Sequence, residues 1–333
     1  MSDQTSIPAA EAQPSPPTPA AKVRPFYWSV RRELWENRSI FAAPLAVAGV
    51  ILFGGLVGVM VGPHSKATVH ATTTVVQNGS AVTHTTQLAA AMTPGQRAAL
   101  AVIPYDFVAL ALIVTLFIVA VFFSLGALHN ERRDRSVLFW KSLPVSDLTT
   151  VLSKAIVPLA VLPPVAFVIT LATQLVMLLM NTASLAAHGK SVADLWAQAP
   201  LVSMPLLVLY ALVTLTLWWA PVYAWLMLIS GWAKRAPFLW AVLPPLFLAL
   251  AEKIALGTEN VWSLILYRVL GGFQQAFVVP TRDALKAGTA FPNGLPQLDP
   301  GKLVATPALW VGLAVAAALF AACVWLRRRS DPI

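Results

Sequence analysis

The stretch IPYDFVALALIVTLFIVAVFFSLGAL, Ile103 to Leu128, is followed within three residues by ERRDRSVLFWKSLPVSDLTTVLSK, Glu131 to Lys154. The first carries no charge except Asp106 and is long enough to cross a bilayer core of about 30 Å, which takes on the order of 20 residues as helix. Five other segments read the same way, near Ile40–Gly62, Ala155–Met180, Leu201–Trp232, Pro237–Leu256 and Thr306–Leu326. The whole chain is 58% hydrophobic and 11% charged, whereas a soluble domain carries roughly a quarter charged residues. The polar surface needed to face water all round is missing. The expected fold is an all-α polytopic membrane protein with six transmembrane helices.

The net charge of +9 follows membrane topology and does not point to nucleic acid. Lys22, Arg24, Arg31, Arg32 and Arg38 precede the first span. Arg132, Arg133, Arg135, Lys141 and Lys154 lie between the second and third. Lys234 and Arg235 separate the fourth and fifth, and Arg327, Arg328 and Arg329 follow the sixth. Basic residues on the other side fall mostly in one long loop, and long loops translocate largely regardless of charge. Both termini are expected in the cytoplasm. The first apolar run reads as a retained span and not as a secretory signal. A lone cysteine, Cys323, makes an intrachain disulfide impossible.

Residues 1–21 are rich in Ala, Pro, Ser and Gln and read as a disordered tail. Residues 22–39 read as an amphipathic helix lying on the membrane, with Tyr27, Val30 and Leu34 at helical spacing and Arg32, Glu33 and Glu36 on the other side. Trp28, Arg31, Arg32 and Trp35 are its candidate interfacial residues. Residues 40–333 form the six-span domain. Within it Gly54, Gly58 and Gly62, four apart, are a candidate helix-packing seam. The outer loop 63–102 holds two Thr/Val-rich runs around Asn78-Gly79, a hairpin signal that would let His70 and His84 face each other. Pro158, Pro163 and Pro164 interrupt the third span and Pro244 and Pro245 the fifth. In the outer segment 257–305, NVWSLILYRVLGGF (Asn260 to Phe273) is too short to cross and return, and reads as a re-entrant or interfacial helix ended by Gly271-Gly272.

Few residues offer chemistry. Asp106 and Glu252 are candidates for a substrate path, because an ionisable group in a span is costly and therefore suspect; both also lie close enough to a span end to be interfacial. His188-Gly189-Lys190-Ser191 imitates the end of a phosphate loop, but Ser184 stands where the first glycine belongs and the stretch follows a helix. No metalloprotease, nucleophile-elbow or dinucleotide motif occurs. The chain is expected not to be an enzyme and to hold no cofactor or metal.

The loop at 129–154 is cytoplasmic by charge. Span two is expected to continue as helix through Glu131, Arg132, Arg133, Asp134 and Arg135, with Val137, Leu138 and Trp140 adding apolar surface. Pro144 then forces a turn, Ser146 caps the next helix and Asp147 complements its dipole. A topological loop needs basic residues but not these acids or Leu-Phe-Trp, so a docking surface explains the mixture. Glutamate with basic residues, an apolar run, Leu143-Pro144-Val145-Ser146 and Leu152-Ser153-Lys154 resemble the cytoplasmic loop of ABC-type 2 transporter permeases, with Arg135 and Ser153 where that family usually has glycine. The layout of surface helix, six spans and re-entrant outer segment is similar as well. The resemblance implies a bacterial inner-membrane permease that pairs with a second copy or a paralogue. Separate ABC ATPase subunits, which hold the ATP and Mg, would dock at Glu131 to Ser146 and at the surface helix. A non-transporting scaffold and an ion-coupled carrier using Asp106 or Glu252 are the rival readings.

Overall fold

Six helices are long and apolar enough to cross a membrane, and they fall on the six segments read from the sequence; the chain is a multi-pass membrane protein by this architecture. The structure, a computed structural model, describes residues 25–61, 70–77, 80–87, 94–134, 146–189, 191–198, 201–278 and 297–329. Helix α1 (Pro25–Glu36) turns at Asn37 and Arg38 into span one, α2 (Ser39–Val61). Strands β1 (His70–Gln77) and β2 (Ser80–Gln87) pair antiparallel before span two, α3 (Pro94–Gly126). The register sets His70 opposite Gln87 and His84 opposite Thr73, so the two histidines are not partners; Asn78-Gly79 lies outside the described residues.

Span two does not run on as one helix. It ends at Gly126, and α4 (His129–Arg133) starts separately. The amides of Leu128 and His129 donate to Ser230 Oγ at 3.0 and 2.9 Å, which supplies the acceptors a new helix start lacks. Span three is longer than its apolar stretch. It runs from α5 (Asp147–Ile156) through a π-turn at Val157–Val161 into α6 (Leu162–Ala187). Pro158 has no N–H to give, and Leu162 N reaches back five residues to Val157 O; one extra residue is thereby housed without ending the helix.

A short α7 (Ala193–Gln198) leads to span four, α8 (Ser203–Trp232), and then to span five, α9 (Pro237–Leu256). Next come α10 (Asn260–Ala276), a two-residue strand pair β3 (Phe277–Val278) with β4 (Gln297–Leu298), α11 (Pro300–Ala305) and span six, α12 (Pro307–Arg329). Asp299 caps α11 by accepting from Lys302 N at 2.8 Å.

The core sits around α8. Leu212, Leu215, Trp218, Tyr223 and Met227 are fully buried in one cluster with Ile113 and Leu116 of α3 and Leu162 of α6. In lipid this packing supplies close van der Waals contact and not a hydrophobic drive. The most apolar part of α8 is 61% buried and that of α9 only 11%, so α9 stands at the rim of the bundle.

Candidate functional site

Alternation of six crossings brings the start of α2, the end of α3, the start of α5, the end of α8 and the end of α12 to one end of the bundle. An ion-pair network is built there. Glu131, on α4, is its hub. Its Oε1 accepts from Lys154 Nζ at 3.2 Å and Arg32 Nη2 at 3.0 Å, and its Oε2 from Arg327 Nη1 at 2.8 Å. Lys154 also meets Glu33 at 2.7 Å, and Arg327 meets Asp147 at 3.1 Å. Arg32 further pairs with Glu33 at 3.2 Å and Glu36 at 3.0 Å. Glu33, Glu131, Lys154 and Arg327 are all buried. Charges removed from water are tolerated only when paired and hydrogen-bonded, and here each of these four is.

The network fixes α1, α4, α5 and α12 to one another. The rest of α4 is fastened to α8. Arg132 donates through Nη1 to Gly231 O, and His129 Nδ1 lies 3.2 Å from Ala233 O. These are carbonyls at the C-terminal end of α8, where no further helical turn supplies donors and a cation is favoured. Between α1 and the α3–α4 corner a polar cavity of about 490 Å³ remains, lined among others by Glu36, Asn37, Asn130, Glu131 and Asp134.

The sequence reading placed Glu131 and Arg132 on an exposed docking surface; the structure turns both inward. Arg133 and Asp134 are exposed and pair with each other at 3.2 Å. Ser146 is the N-cap of α5 and accepts from Thr149 N at 3.1 Å. Arg135, Leu138, Trp140 and Pro144 lie outside the described residues. Glu33, Asp147 and Arg327 were read as charges of helix face, dipole and topology, not as members of a site. Their signal was available: the positive-inside rule asks for basic residues at this end, so an acid within a turn of a span end calls for a partner.

A second arrangement lies at mid-depth. Trp218, near the centre of the 30-residue α8, donates Nε1 to Arg268 O at 3.0 Å, and Trp219 Nε1 donates to Val269 O at 2.9 Å. The Arg268 guanidinium lies 4.9 Å from the Trp218 ring and reaches Ala308 O at 3.2 Å. It occupies space beside Gly312 that any Cβ there would invade. Helix α10 therefore dips beside the spans. Gly271 and Gly272 do not end it, since it continues to Ala276; a Cβ at Gly272 would come within 2.9 Å of Trp218, so glycine is there to allow contact.

Glu252 serves this same helix. Its carboxylate accepts from Thr258 Oγ1 at 2.6 Å and from the amides of Asn260 and Val261 at 2.9 and 2.7 Å, which satisfies the start of α10. Lys253 pairs with Glu259 at 2.8 Å and not with Glu252. Asp106 is half-buried in the first turns of the span-like part of α3, which starts at Val102. Gly54 and Gly58 face open space, with nothing among the described residues within 4 Å of an added Cβ; Gly62 lies outside the described residues. His188 and Gly189 simply end α6, with Gly189 at a φ of +64° suited to a residue without Cβ. Among the described residues no three His, Cys, Asp or Glu side chains gather as a metal site would need.

Compared with protein-family models, curated proteins and solved structures, the chain matches none.

Proposed function

We propose that this chain is the permease subunit of an ATP-driven exporter of the ABC-type 2 kind. It would act in a bacterial inner membrane with both termini cytoplasmic. A second copy or a paralogue completes the path, and separate ATPase subunits carrying ATP and Mg dock at the α1 end. The observation that supports this reading best is the network around Glu131 and Lys154. These two residues lie on α4 and α5, on either side of the connection between spans two and three, and are bonded to each other, to α1 and to the end of α12. A force applied at that connection is delivered to a braced base. The resemblance of the loop to the coupling segment of such permeases gives the force its source.

The role of Glu252 in holding α10 speaks against a proton-relay carrier, because its carboxylate is already occupied by three donors. Reconstitution with a cognate ABC ATPase should therefore give ATP-dependent transport that survives Asp106→Asn, with Glu252→Gln lowering it only as far as α10 is loosened. Transport abolished by Asp106→Asn, or driven by a proton gradient without ATP, would move the chain to the carrier class. Failure of this chain to change the hydrolysis rate of that ATPase would favour a scaffold. Orientation is checked separately: a cysteine introduced by Gly79→Cys should react with an impermeant maleimide added to intact cells, and labelling only after permeabilisation would invert the topology.

A further inference from the structure

Two consecutive arginines on α1 have opposite fates. Arg32 turns into the bundle and is engaged by Glu33, Glu36 and Glu131. Arg31 turns out. Its guanidinium stands 5.1 Å from the Trp28 ring and 5.0 Å from the Trp35 ring, and among the described residues no carboxylate pairs with it. Trp28 and Trp35 are themselves 55% and 72% exposed, with Tyr27 edge-on to Trp28. Residues 28, 31 and 35 share one face of a helix by their spacing, and the groove they line with Arg32 and Glu36 measures about 550 Å³.

We propose that this groove binds the headgroup of an anionic phospholipid, the phosphate on Arg31 and the upper acyl chains against the two indoles. Three observations select this occupant. The indole–guanidinium–indole arrangement puts apolar rings and a cation together, as the boundary between headgroup and hydrocarbon requires. Helix α1 turns at Asn37 and Arg38 directly into α2, where Phe41, Leu45 and Phe53 are exposed and lipid is what covers an apolar span in a membrane. The charge is uncompensated: Arg32 and Glu36 cancel within the groove, which leaves Arg31 with its five N–H donors to meet an anion. A zwitterionic lipid brings its own ammonium and neutralises nothing; phosphatidylglycerol supplies the missing charge. The site does not depend on what the chain transports.

The full chain, purified in detergent, is titrated with phosphatidylglycerol or phosphatidylcholine of identical acyl chains, and bound lipid is counted by native mass spectrometry. The expected result is a preference for phosphatidylglycerol that falls about five-fold in Arg31→Gln, the weight of one basic residue at a membrane surface. Trp28→Leu with Trp35→Leu should reduce retention of both lipids, since it removes the walls and leaves the charge. Arg328→Gln, at an exposed arginine of the same end, should leave the preference intact. Equal loss in Arg31→Gln and Arg328→Gln would reduce the effect to general charge and overturn the proposal. So would an unchanged preference in Arg31→Gln, or displacement of the lipid by excess inorganic phosphate.

Discussion

Glu131→Ala should lower the thermal midpoint of the protein on the order of 10 °C, the largest loss expected from any single charge among the described residues. Among the described residues, the carboxylate removed is the one group that faces Lys154, Arg32 and Arg327 together. Without it Arg327 keeps Asp147, Lys154 keeps Glu33, and three cations crowd a buried space with one acceptor gone. Breaking a buried pair in this way costs about 3–5 kcal/mol, far more than the pair contributes over an apolar substitute. The single cysteine provides the readout. Cys323 is 1% exposed, so a thiol-reactive dye reports its exposure as the bundle opens. Glu36→Ala is the matched control: its carboxylate also meets Arg32, but it is 56% exposed and should shift the midpoint little, as surface pairs do. Combining Glu131→Ala with Arg327→Ala should cost less than the sum of the two, because the second change removes one of the stranded charges. Strict additivity would mean that the two side chains do not share a network.

How much of this was legible follows from the range of each interaction. The spans were visible because a bilayer imposes a length that local composition must meet, and the fifth falls at Pro237–Leu256 in sequence and structure alike. The Ser146 cap was visible because its partner, Thr149, is three residues away. The network was not, because Glu33 and Lys154 are 121 residues apart in sequence, and a charge gives no sign of which distant charge it meets. Span three starts at Asp147, where the Ser146 cap signals it, but runs on past Met180 to Ala187, because the polar residues Asn181, Thr182 and Ser184 end the apolar run without ending the helix. The glycines show the same limit. Gly271-Gly272 reads equally as a break or as a contact, and only Trp218 on another helix decides it. Gly54 and Gly58 have the spacing of a contact and meet nothing among the described residues of the single chain.

That last contrast gives the second large effect. In Gly272→Leu the new side chain must enter space held by Trp218 and Leu215, whose atoms stand 2.9 and 3.0 Å from the position of its Cβ. Trp218 is 0% exposed and has no room to turn. Overpacking of this kind costs about 1–3 kcal/mol, and backing α10 away loses two indole hydrogen bonds worth about 1 kcal/mol each. The guanidinium of Arg268 would leave the Trp218 ring at the same time. The damage should stay local, because the spans do not need α10 to pair with one another. Ala276→Cys makes this measurable. Ala276 is 0% exposed near the end of α10, so a thiol introduced there is protected while the helix is seated. In the Gly272→Leu background that thiol should react at least about tenfold faster, as a local opening made easier by about 1.4 kcal/mol or more requires. Cys323 in α12 should stay protected and report an intact bundle. Gly58→Leu, which meets open space, should change neither rate in the single chain. If the thiol of Ala276→Cys remains as protected with Gly272→Leu as without it, α10 is not held by close approach to α8. If Cys323 opens along with it, α10 is part of the bundle's stability and not a segment seated upon it.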